Sequence, residues 1–145
     1  MTSFTHAAVG LGVASFFKEV PEVQPVYLYA VGFSLLPDLD HLLFLRTMKL
    51  KVGGMRHART FMHELLGTAV WLAVGLCVMP FNFQLGCLFI ACLSAHLFCD
   101  FINGYSEPFK RIRSAPGIDM GKSLPTRIAQ EALIGGLSLW LFFAG

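Results

Sequence analysis

Long apolar runs alternate along the chain with short polar or basic stretches. Residues 4–17 are apolar and rich in Ala and Gly, interrupted mainly by Thr5 and His6. Further runs cover residues 26–45, 63–79, 85–102 and 128–144. No stretch sustains the period-two alternation of a half-buried strand, and an open sheet could not satisfy its edges in lipid. The pattern predicts an all-α fold: a polytopic membrane helix bundle of four transmembrane spans plus a shorter N-terminal helix. The first run falls short of the ~20 residues that cross a bilayer, so it is read as tilted, interfacial or re-entrant. With no internal repeat and no low-complexity tract, residues 1–145 read as a single membrane-embedded domain.

The breaks between runs are of two kinds. Residues 18–25 contain Pro21 and Pro25, and residues 80–84 form an uncharged turn around Pro80 and Asn82. The other two breaks, 46–60 and 103–127, are basic. Within the second run, Pro37 removes a backbone donor and disfavours helix at Leu36, which predicts a kink there.

Composition strengthens the membrane reading. The chain is 55% hydrophobic and only 14% charged, with a mean hydropathy of +0.63. Soluble domains carry about a quarter charged residues. The net charge of +2 is ordinary, but ten of the eleven Lys and Arg fall in the two basic loops and only Lys18 stands apart. Such short blocks between apolar runs read as orientation signals rather than as a nucleic-acid surface. Basic loops stay cytoplasmic, so the N-terminus is expected inside and the C-terminus outside. The segment 1–17 lacks the basic start of a secretory signal and is expected to be retained. Cys77, Cys87, Cys92 and Cys99 lie in apolar runs without CxxC spacing, and read as small core residues.

Against this background the ionisable residues inside the runs call for an explanation, because a charge at mid-span costs about 2.5–3.5 kcal/mol on insertion scales. Their depth carries the information. His6 lies near the inner end of the first run. Asp38, Asp40 and His41 lie where the second run approaches the first basic loop. His63 opens the third run, His96 and Asp100 close the fourth, and Glu131 opens the last. Every segment therefore offers a polar group at one level although the chain direction alternates. His96 and Asp100 are four apart and share a helix face, and Asp38 and His41 are three apart and do the same if helical. Imidazole and carboxylate together suit a divalent metal: zinc foremost, with manganese or iron as alternatives. The candidate ligands are His6, Asp38, His41, His63, His96 and Asp100, more than one zinc ion needs. Two ions, or one ion with supporting partners, both remain open.

Each residue also has a plainer role open to it. His6 alone would be an interfacial polar residue, Asp38 to His41 a cap on a kinked helix, and His96 with Asp100 a hydrogen-bonded pair joining helices. Arg59, one turn before His63, either neutralises an anionic substrate or anchors at headgroups. Glu131 either supports the site from outside the ligand set or is solvated at a helix end. His57, in a basic loop, reads as solvated.

Taken in order, these motifs resemble the YdjM-like family of bacterial, LexA-regulated inner-membrane proteins regarded as metal-dependent hydrolases. The resemblance rests on Thr5-His6, Pro37-Asp38-Leu39-Asp40-His41, Arg59 to His63, His96 to Asp100, and Gly104 to Phe109 with its Pro108-Phe109. The chain departs from the family at one corner, where His-Arg before Thr-His-Ser is common and Ala58-Arg59 before Met62-His63-Glu64 stands here. The order of His, Asp, His and His-x-x-x-Asp is also distantly similar to that of zinc-dependent phospholipases C, which implies phosphoester hydrolysis. With the site at the cytoplasmic end of a membrane bundle, the expected substrate is a lipid or lipid-linked phosphoester at the cytoplasmic leaflet of the bacterial inner membrane. Asp40 would then be general base or ligand orienter, Arg59 would sit at the reacting phosphate, and Arg111 and Arg113 would bind it. The same residues would also fit a relay in a metal-ion or proton transporter, or a structural metal that staples the helices. A relay would need polar groups in the outer halves of the spans, where Ser15, Ser34, Thr68 and Ser138 are isolated.

Overall fold

The computed structural model describes residues 2–21, 24–39, 65–102 and 124–144. Five α-helices are present among them: α1 (Ser3–Ala14), α2 (Val26–Leu35), α3 (Leu65–Val78), α4 (Phe83–Ile102) and α5 (Leu124–Ala144). A 3₁₀ turn, Ser15–Phe17, extends α1, and another, Leu36–Asp38, extends α2. No strand occurs among the described residues.

The helix ends follow local sequence. Thr2 caps α1, its hydroxyl accepting from the Thr5 amide at 3.3 Å. Asn82 caps α4 in the same way, Oδ1 accepting from the Leu85 amide at 2.9 Å, so α3 and α4 turn back within the uncharged 80–84 stretch. Helix α2 ends at Leu35, and buried Pro37 sits inside the tighter turn that follows. The α-helix thus gives way at Leu36, beside Pro37, and Asp38 closes the tighter turn.

Helix α1 is the central element, packed against α2, α4 and α5, while α2 also packs on α4 and α3 packs on α4. Small residues let these helices approach closely. A Cβ on Gly10 would lie 2.5 Å from Ser34 Oγ and 2.7 Å from the Ala30 carbonyl oxygen. One on Gly12 would lie 3.0–3.1 Å from Ser138, and one on Gly75 2.6 Å from Ile90. Close approach through small residues is how helices associate where lipid removes the hydrophobic drive between them.

The outer surface is apolar as well. Leu28, Val74, Leu76, Phe98, Leu133, Leu137, Trp140 and Phe143 are all exposed. A helix that is apolar on its outward face is either inside a larger protein or in a membrane. Four spans are nevertheless not supported by the described residues. Among the described residues only α4, with 20 residues, is long and apolar enough to cross a bilayer. The described parts of α2 and α3 are 10 and 14 residues long, and the apolar part of α5 is Ile128–Ala144, all short of the ~20 residues that cross a bilayer.

The two ends of the bundle are unlike. At one end Ala14, Val26, Ala30, Leu88 and Cys92 form a buried apolar core, flanked by Phe17, Phe33 and Phe142. Cys92 and Cys99 are buried as expected of core residues, whereas Cys77 is exposed. The buried polar side chains gather at the other end.

Candidate metal centre

Three segments, α1 beginning at the polar end and α2 and α4 ending there, bring four side chains together. His6 comes from the first turn of α1, Asp38 from the turn after α2, and His96 and Asp100 from the last two turns of α4. One ligand atom from each lies within 4.8 Å of every other. His6 and His96 are 0% exposed and Asp100 4%, while the Asp38 side chain is 12% exposed.

Hydrogen bonds fix how these groups face one another. His96 Nδ1 lies 2.6 Å from the Ser34 carbonyl oxygen. A carbonyl can only accept, so Nδ1 carries the proton and donates. In the neutral ring Nε2 then presents its lone pair. That lone pair faces two carboxylates, Asp100 Oδ2 at 3.6 Å and Asp38 Oδ1 at 3.7 Å. Both separations exceed a good hydrogen bond, and two carboxylates opposite this nitrogen call for a positive charge there, either a proton on the ring or a bound cation. The other oxygens are engaged elsewhere: Asp38 Oδ2 accepts from Ser3 Oγ at 3.1 Å, and Asp100 Oδ1 lies 3.1 Å from His6 Nε2.

The two imidazoles stack, with centroids 3.7 Å apart and planes 19° from parallel. His6 Nδ1 is buried and has no hydrogen-bond partner among the described residues, which leaves the ring one partner short. An orphaned imidazole nitrogen beside a lone pair aimed at carboxylates fits a bound cation. Two donors on one tetrahedral zinc at bond lengths near 2.0–2.1 Å are about 3.4 Å apart, and His96 Nε2 stands 3.6 and 3.7 Å from the two carboxylates. The donor set of two imidazoles and two carboxylates suits zinc, manganese or iron. The Nδ1–carbonyl bond on His96 is the usual way an outer partner fixes the tautomer of a ligating histidine.

Of the residues expected at the site, the structure thus brings together His6, Asp38, His96 and Asp100. Asp40, His41, Arg59, His63, Arg111 and Arg113 lie outside the described residues, as does His57. Glu131 is not in the group of four. Its Oε2 accepts from Thr2 Oγ1 at 2.8 Å, Thr5 Oγ1 at 3.1 Å and the Thr2 amide at 3.3 Å, so it binds the start of α1 beside the site.

Sequence reasoning missed two participants. Ser34, read as an isolated polar residue of the outer half of its span, is 0% exposed and supplies the carbonyl that orients His96. The sequence carried no signal for it, since the acceptor it offers is a backbone carbonyl, which every residue has. Ser3, the hydrogen-bond partner of Asp38, had no signal beyond its place near His6.

The YdjM inner membrane protein family matches residues 1–113 of the chain, and that stretch contains all four clustered side chains but not Glu131. No curated protein and no solved structure matches. The match spans well over half of the 145 residues, and the chain belongs to the YdjM inner membrane protein family.

Proposed function

We propose that the protein is a membrane-embedded, metal-dependent hydrolase that acts on a lipid or lipid-linked phosphoester at the cytoplasmic leaflet of the inner membrane. The observation that carries the reading is His96, whose Nδ1 is held by the Ser34 carbonyl so that Nε2 faces Asp38 and Asp100. In this reading His6, Asp38, His96 and Asp100 hold the ion, with His41 and His63 as further ligands. A divalent ion bound there supplies Lewis acidity and brings the pKa of water toward neutrality.

The remaining roles belong to side chains of the chain itself. Asp40 orients a ligand or takes a proton from the attacking water. Arg59, with Arg111 or Arg113, binds phosphate oxygens through paired hydrogen bonds, the geometry a guanidinium offers. Burial of His6, His96 and Asp100 keeps bulk water from competing for the ion. Zinc is the first expectation, with manganese or iron as alternatives. The N-terminus and both basic loops then face the cytoplasm, where a headgroup phosphate meets the polar end.

The one-sided placement favours a fixed site over a conduit, because the opposite end is packed with Ala14, Val26, Ala30, Leu88 and Cys92. The test is to purify the protein in detergent and measure bound metal together with hydrolysis of a panel of lipid phosphate esters. Asp38→Ala and His96→Ala are expected to lose both while remaining monodisperse. Metal content unchanged in both variants would overturn the site. Full metal content with no hydrolysis of any phosphoester in the wild type would overturn the hydrolase and leave a structural ion.

A further inference from the structure

We infer that Glu131 is a positioning residue for the metal centre, holding His6 and Asp38 in place through the first turn of α1. The inference rests on the reading of the four-residue cluster as a metal site. It does not depend on hydrolysis.

The first turn of α1 is attached to the cluster at two points. His6 closes the turn, its amide donating to the Thr2 carbonyl at 3.1 Å, and its ring enters the site directly. Ser3, on the same turn, donates to Asp38 Oδ2. A shift or fraying of this turn therefore moves one ligand and releases the partner of a second. Helix termini are where fraying occurs, since the first amides lack intrahelical acceptors.

Glu131 counters that fraying from α5. Its Oε2 accepts three hydrogen bonds, from the Thr2 amide and from the hydroxyls of Thr2 and Thr5. The two hydroxyls also lie 2.9 Å from each other, so their two protons serve three contacts, two of which are to this one oxygen. Thr2 Oγ1 can then accept from the Thr5 amide and complete the helix cap. A carboxylate at a helix N-terminus also meets the positive end of the helix dipole. Thr5 is buried and adjacent in sequence to His6, so the clamp reaches the ligand through a single peptide unit. Because Glu131 lies beyond residues 1–113, this support comes from outside the stretch that contains the four ligands.

Cobalt(II) is the probe, as its d–d absorption reports the number and type of donors. Full-length protein in detergent is titrated with Co²⁺ for the wild type, Glu131→Ala, Glu131→Gln, Thr5→Val, His6→Ala and Gly12→Ala. Loss of an outer partner typically weakens metal binding by about 10–100-fold. Glu131→Ala is expected at about the lower end of that range, with d–d bands shifted toward those of His6→Ala, and Thr5→Val is expected to follow in the same direction. Glu131→Gln keeps an oxygen acceptor and should restore the wild-type spectrum. Gly12→Ala presses on Ser138 and loosens α1 against α5 without touching the clamp. It should lower thermal stability and leave the spectrum unchanged. Wild-type affinity and spectrum in Glu131→Ala would overturn the inference, as would an equal spectral change in Gly12→Ala. Failure of the wild type to take up Co²⁺ would overturn the metal reading itself, and this inference with it.

Discussion

The two ends of the bundle use the same helices for opposite purposes. At the apolar end, α1, α2 and α4 meet through Ala14, Val26, Ala30, Leu88 and Cys92, and nothing there requires a particular hydrogen bond. A polar anchor near it is Lys18, whose Nζ reaches the Phe142 carbonyl at 2.6 Å and lies 5.0 Å from the centre of that ring. A cation at the last carbonyls of α5 complements the helix dipole. At the polar end the same three helices contribute His6, Asp38, His96 and Asp100, and almost every contact is directional. One end needs only shape. The other needs the right atoms facing each other, which gives it value for binding and makes it costly to leave without a counter-charge.

Substitutions at the two ends should therefore separate metal binding from stability. The largest effect is expected for His96→Ala and Asp100→Ala, which remove a donor and should weaken metal binding by roughly 100-fold or more, beyond the range for outer partners. Calorimetric titration of the purified protein measures this. Next is Leu88→Ala at the opposite end, where the cavity should lower unfolding stability by about 2 kcal/mol with metal affinity unchanged. Denaturation in mixed detergent reads the first quantity and titration the second. A loss of metal binding in Leu88→Ala would show that the two ends are not separable. Gly10→Ala lies between them: its new methyl would meet Ser34 Oγ and the Ala30 carbonyl. Overpacking of this kind costs about 1–3 kcal/mol. Because Ser34 orients His96, metal affinity should fall along with stability, and a change in only one of them would argue against that coupling. The smallest effect is expected for Ser3→Ala, which removes one hydrogen bond to Asp38. At a net worth of about 1 kcal/mol, its loss should reduce metal affinity by roughly threefold to fivefold.

How much of this was legible in the sequence differs between the fold and the site. The helices themselves were legible because apolar runs and Pro breaks are local signals, and α2 stops at Leu35 beside Pro37. The number of spans was not, since an apolar run does not state how much of itself becomes helix. The 26–45 run yields a described helix of only 10 residues before the turn at Pro37. His96 and Asp100 were legible from their four-residue spacing, and His6 and Asp38 from their common depth. The role of Ser34 was hidden because its contribution is a backbone carbonyl, which every residue has, and only packing selects which one meets His96. Glu131 could be placed near the site but not given a partner, because its hydrogen bonds are to residues 126 and 129 positions away.

The account turns on whether the two imidazoles and two carboxylates share one ion. Metal K-edge X-ray absorption on the purified, zinc-loaded protein tests this most directly. The structure predicts nitrogen and oxygen donors near 2.0–2.1 Å with the outer-shell scattering of two imidazoles, falling to one in His6→Ala and in His96→Ala. A spectrum with no imidazole scattering, or one that both substitutions leave unchanged, would contradict it.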